Sequence, residues 1–72
     1  MIEYPIVLEK EPDGRYSVYA PDLPGCSTWG KTRARAIENI REAIELWIES
    51  ARADGEVIPE PGSSVEYVRI AG

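Results

Sequence analysis

Pro21-Asp22-Leu23-Pro24-Gly25-Cys26-Ser27-Thr28-Trp29-Gly30-Lys31-Thr32 is the stretch on which the fold turns. Pro21, Pro24 and Gly25 break any regular element, because proline fixes φ and lacks an N–H while glycine admits positive φ. A short strand, about Cys26–Trp29, follows, and Gly30 ends it. Thr32 is placed to cap a helix, its side-chain oxygen accepting one of the orphaned N–H groups of the first turn. From Gly25 to Thr32 the residues also match the phosphate-loop pattern G-x-x-x-x-G-K-[ST]. The interior Cys-Ser-Thr-Trp is β-prone and bulky, and no apolar strand ending in Asp is available to hold a metal from a second position. A strand, a glycine stop and a threonine cap are therefore expected here, with no tight binding of ATP or GTP.

Upstream, residues 2–9 alternate, with Ile2, Tyr4, Ile6 and Leu8 on one face and Glu3, Pro5, Val7 and Glu9 on the other, which predicts a half-buried strand. Pro5 requires an outward-facing N position or a bulge. Glu11-Pro12-Asp13-Gly14 predicts a turn, and Tyr16, Val18 and Ala20 alternate into a second strand to complete a hairpin.

Downstream, neither Gly nor Pro occurs from Arg33 to Asp54, which predicts one long helix. Ile37, Ile40, Ile44, Trp47, Ile48 and Ala51 form its apolar stripe, flanked by Ala36 and Ala43. Glu38, Arg41, Glu42, Glu45, Glu49 and Arg52 form the wet face, Leu46 lies roughly opposite the stripe, and Gly55 stands where a C′ glycine belongs. Val57–Gly62 is a rigid connection, and Ser64–Ile70 reads as a last strand. The order is β-β-β-α-β, an α+β fold in one domain over residues 1–72. Tyr4, Ile6, Leu8, Tyr16 and Val18 are expected to face Ile37, Ile40, Ile44, Trp47 and Ile48, with Trp29 and Trp47 as core or interface anchors.

Composition narrows the chemistry. With 72 residues the chain builds one core, and with one cysteine and no histidine it has no intrachain disulfide, no Cys/His zinc site and no Ser-His-Asp or Cys-His catalysis. The lone cysteine suits a reducing cytoplasm, and Cys26 reads as a small buried hydrophobe. No apolar run reaches the roughly 18 residues of a membrane span, and the N-terminus has no signal-peptide pattern. Glu3 and Glu9 lie near the two ends of the first strand and the helix acids lie on its wet face, so no converging carboxylates, and hence no catalytic, cofactor or metal residues, are assigned. The net charge of −5 argues against a general nucleic-acid coat and suits a basic partner. Lys31, Arg33 and Arg35 cluster at the helix start, where they read either as an anion or nucleic-acid contact or as partners of acids such as Asp22 or Glu38. One helix covers only one sheet face, which leaves Val7 and Tyr19 on the other and Leu46 on the helix's outer side. These three are the candidate contacts of a homodimer or larger oligomer, and an uncovered sheet edge offers a second route.

Asp13-Gly14, Tyr16, the 21–30 block, Gly30-Lys31-Thr32, Ala36, Ala43 and Ile58-Pro59-Glu60-Pro61 together resemble the HicB-like antitoxin family over nearly the whole chain. The resemblance implies a truncated ribonuclease H-like fold without its catalytic carboxylates: a four-stranded sheet of order 3-2-1-4 with the helix on one face. It implies a non-enzymatic protein that masks a small basic mRNA-cleaving toxin similar to HicA. Many members carry a C-terminal DNA-binding domain, whereas Gly72 follows directly on the last predicted strand, so a single-domain member is expected. The family's usual acidic residues are replaced at Lys31 and Arg35. The alternative to toxin masking is a solitary member that binds RNA, DNA or another phosphate ligand through the basic helix start.

Overall fold

The computed structural model describes residues 2–72. Its strands are β1 (Val7–Lys10), β2 (Tyr16–Tyr19) and β3 (Ser27–Gly30), followed by the helix α1 (Arg33–Ala53). The strands form one antiparallel sheet in the order β1-β2-β3.

The β1–β2 turn is closed by Gly14 N donating to Glu11 O at 2.9 Å and Glu11 N donating to Arg15 O at 2.7 Å. Gly14, with φ +92°, takes the left-handed position that this three-residue hairpin loop demands. The ladder pairs Val7 with Tyr19 and Lys10 with Tyr16. Its far end is set by proline: continuing the register would place Pro5 opposite Pro21, neither of which has an N–H to donate. The strand expected over residues 2–9 therefore pairs only from Val7.

The Ala20–Cys26 connection consists of two successive turns. Leu23 N donates to Ala20 O and Cys26 N donates to Leu23 O, each at 3.1 Å, and Ala20 N closes the loop on Cys26 O at 3.0 Å. Pro21 and Pro24 each stand second in their turn, and Gly25 supplies the φ of +75° that the third position of the second turn requires. Leu23, between the two turns, is thereby driven inward and is 1% exposed.

The helix begins at Thr32, whose Oγ1 accepts from Arg35 N at 3.1 Å. It ends in a Schellman motif, with Glu56 N on Ala51 O at 2.8 Å and Gly55 N on Arg52 O at 3.1 Å, Gly55 taking φ +70°. Both caps stand where the sequence predicts them. The helix lies over β3 and β2. Gly30 is obligatory at this approach, since a Cβ there would stand 2.4 Å from Ala36 N. The core is Val18, Ala20, Leu23, Cys26, Ala36 and Ile40, with Tyr4, Ile6, Leu8, Tyr16, Ala43, Ile44 and Trp47 packed around it. Each large aliphatic side chain so buried contributes about 1.5–3 kcal/mol. Ile37 and Ile48, expected in that core, are only half-buried.

The fourth strand expected over Ser64–Ile70 is not formed: among the described residues the sheet has three strands. Residues 61–72 are exposed throughout, Tyr67 at 94% and Ile70 at 80%. The physical reason lies upstream. Pro59 and Pro61 hold the connection extended, Asp22 captures Ser63, and the residues that follow are exposed and pair with no strand.

Candidate functional site

The phosphate-loop match dissolves in the structure. Ser27–Gly30 is a sheet strand paired residue by residue with Tyr16–Tyr19, so its backbone amides are not arranged as a cradle. Thr32 Oγ1 is engaged as the helix cap. At the basic cluster, Arg35 meets Glu38 at 3.4 Å, while Lys31 and Arg33 are exposed. Of the two acids expected to pair with this cluster, Glu38 does so and Asp22 does not.

Asp22 instead accepts from Ser63 N at 3.1 Å and from Ser63 Oγ at 2.8 Å. The Ser63 hydroxyl, assisted by the backbone N–H groups of residues 62 and 63, holds the Asp22 carboxyl below its ordinary value of 3.8. Nearby, Tyr4 Oη donates to Pro59 O at 2.6 Å. Trp47 Nε1 donates to Pro24 O at 2.9 Å, which fixes the second turn of the Ala20–Cys26 loop on the helix. Asn39 Nδ2 likewise reaches Trp29 O at 2.9 Å. None of these clasps is visible in the local sequence pattern. The one available signal is residue type, a Tyr and an Asp each next to a proline and a Trp on the apolar stripe of the helix.

Cys26 is 5% exposed, and burial pushes its thiol above the ordinary value of 9.0, which is the environment of an inert, protonated side chain. Among the described residues, no group of three His, Cys, Asp or Glu residues converges to hold a metal ion. Among the described residues, no helix is long and apolar enough to cross a membrane.

Two surfaces remain open. The first is the sheet face away from the helix. Val7 and Tyr19 are direct cross-strand partners there, and Trp29 stands on the next strand beside Ser17. Tyr19 is 40% and Trp29 50% exposed. The Arg15 guanidinium lies 5.1 Å from the centre of the Trp29 ring while its Nε bonds Asp13 at 2.7 Å. That amide and guanidinium contact, led by the Arg15 backbone N–H, lowers the Asp13 pKa. Leu46, the third residue assigned with Val7 and Tyr19, is 66% exposed on the helix, on the other side of the sheet. The three stand in two separate places, Val7 and Tyr19 on the free sheet face and Leu46 on the outer side of the helix. The second open surface is a groove of about 1090 Å³ between the N-terminal segment (Ile2, Tyr4, Ile6) and the helix residues Ile37, Ile44 and Ile48.

The comparisons with known proteins agree with this geometry. Residues 4–71 match the model of the HicB_like antitoxin of bacterial toxin-antitoxin systems. A UPF0150 protein of Thermoplasma acidophilum is 47% identical over 58 residues, covering 81% of this chain and 84% of that protein. Antitoxin HicB 1 of Photorhabdus laumondii is 39% identical over 61 residues, 85% of this chain but only 39% of that longer antitoxin. The crystal structure of the N-terminal domain of Burkholderia pseudomallei antitoxin HicB superposes with a TM-score of 0.76 at 38% identity, over 85% of this chain and 72% of that one. The turn-forming proline block, the capped helix and the three-stranded antiparallel sheet are thus those of the HicB-like antitoxins, and the chain belongs to that family.

Proposed function

We propose that the chain is a non-catalytic antitoxin that masks a small basic mRNA-cleaving toxin of the HicA type. The observation that carries this is the family match over residues 4–71, which takes in the proline block, the helix and the C-terminal segment together. Charge supports it. The chain carries −5, and Glu38, Glu42, Glu45 and Glu49 are all exposed along the helix, a surface suited to steering and holding a basic partner. The proposed setting is the cytoplasm, and the proposed protein is a homo-oligomer in which Val7 and Tyr19 on one side and Leu46 on the other are contacts. Its complete sheet has the ribonuclease H-like order 3-2-1-4, the fourth strand being Ser64–Ile70 in its paired state. The alternative, RNA or DNA bound by Lys31, Arg33 and Arg35, has less support, because Arg35 is paired with Glu38.

The test is mRNA cleavage by a purified HicA-like ribonuclease with increasing amounts of this chain. Cleavage is expected to stop near one antitoxin per toxin, with no cleavage by the chain alone. Glu42→Lys with Glu49→Lys is expected to weaken inhibition by about tenfold or more. Undiminished cleavage at excess chain, together with salt-dependent RNA binding abolished by Lys31→Ala and Arg33→Ala, would replace toxin masking by the alternative.

A further inference from the structure

The C-terminal segment is apolar in alternation yet lies in water. Val65 and Tyr67 fall on one side of an extended chain and Val68 and Ile70 on the other, and they are 58%, 94%, 79% and 80% exposed. The whole molecule registers this. Its radius of gyration is 14.0 Å, against about 11 Å for a compact chain of this length. Its accessible surface is 5827 Å², against about 4,450 Å² for a compact monomer of this mass, an excess of about 1,400 Å².

Two other features lack a partner. β1 is hydrogen-bonded to β2 alone, so its outer edge is open. Beside it runs the groove lined by Ile2, Ile6, Ile37, Ile44 and Ile48. Ser64–Ile70, extended, spans about 23 Å, a length that fits beside a helix of about 32 Å. A strand placed there would have the helix on one side and the sheet's outer face, with Val7, on the other. That accounts for a segment with apolar residues on both of its faces.

The segment's own attachment decides whose groove it fills. Pro59 and Pro61 fix two φ angles and hold Ile58 and Glu60 extended, so the connection is stiff. Tyr4 holds it at Pro59, and Asp22, in the loop after β2, holds it at Ser63. A reversal onto the chain's own β1 edge would have to start from a residue pinned to the loop after β2, the strand on the paired side of β1. We propose that Ser64–Ile70 is an exchanged arm: it forms the fourth strand on the β1 edge of a second copy, Val68 and Ile70 entering that copy's groove, while the second copy's arm returns the contact. Mutual exchange would bury about 2,800 Å² of the excess surface, within the range of obligate homodimers. Strand exchange across a stiff hinge is a low-cost route to such a dimer. The proposal deepens the homo-oligomer part of the proposed function and is independent of the toxin.

The test mixes isotope-labelled and unlabelled full-length chain and records NOEs between the two kinds of molecule. Contacts are expected from the methyls of Val68 and Ile70 to those of Ile37, Ile44 and Ile48, and sedimentation should give a dimer. Val68→Glu with Ile70→Glu should return the monomer with unchanged circular dichroism, since both side chains are exposed in the single chain. A dimer whose arm methyls contact only their own chain, or none, would overturn the exchange while leaving self-association intact. A monomer at millimolar concentration would overturn both, and neither result would bear on toxin inhibition.

Discussion

The two ends of the sheet are finished to different degrees. At the β3 side, Gly30 lets the helix backbone close in, the Ala20–Cys26 double turn drives Leu23 into the core, and Trp47 fastens Pro24. At the β1 side the ladder stops at two prolines, the helix residues Ile37, Ile44 and Ile48 are half-buried, and the edge is unpaired. The β3 side is held by contacts among residues 16–51, and among the described residues the β1 side has no strand on its outer edge. The difference shows that a chain of 72 residues can distribute its apolar side chains unequally, completing one side internally and leaving the other open.

Substitutions on the finished side should be costly. Leu23→Ala removes a side chain that is 1% exposed and fixed between two turns that leave little room to collapse. A loss of about 3 kcal/mol is expected in urea unfolding, most of the stability of so small a domain. Gly30→Ala forces a Cβ against the backbone of Ala36 and should cost about 2 kcal/mol by thermal or chemical unfolding. Trp47→Phe keeps most of the ring packing but leaves Pro24 O without its donor, and about 1 kcal/mol is expected. An equal loss from Ile70→Glu in the dilute monomer would erase the contrast between the sides, because Ile70 is 80% exposed there.

The smallest effect is a pH dependence at the clasp between Asp22 and Ser63. The Asp22 carboxyl is held below 3.8 by Ser63, so the clasp favours the folded state above the ordinary carboxylate pKa. Its contribution falls away as pH drops below 3.8 and through the lower folded value. Exchange of the Ser63 amide is expected to accelerate in that window, measured against Ala36, whose amide is bonded to Thr32 O inside the helix. Asp22→Asn should remove this pH dependence. Identical acid dependence at Ser63 and Ala36 would mean that global unfolding, not the clasp, is being observed.

What was legible in the sequence follows the same division. The hairpin turn, the proline block, both helix caps and the helix stripe are set by residues within about four positions of one another, and each appears where the pattern predicts. The clasps on the C-terminal connection join Tyr4 to Pro59 and Asp22 to Ser63, 55 and 41 residues apart, and no local period reports them. The alternation of Ser64–Ile70 correctly marks a segment able to be a strand, but pairing depends on an edge, which is a property of the assembled sheet. The same limit applies to Val7, Tyr19 and Leu46: their placement on the free sheet face and on the helix's outer side was legible, whereas their degree of exposure, Val7 half-buried against 40% for Tyr19 and 66% for Leu46, depends on the packed neighbours.

Hydrogen–deuterium exchange across a concentration series tests the division between the two sides most directly. Amides of α1, β2 and β3 are expected to be protected at every concentration. Amides of Ser64–Ile70 should exchange freely in dilute monomer and become protected, together with the outer edge of β1, as dimer forms. Protection of Ser64–Ile70 that is already complete in the dilute monomer would contradict the open β1 side, because it would mean that the chain closes its own sheet.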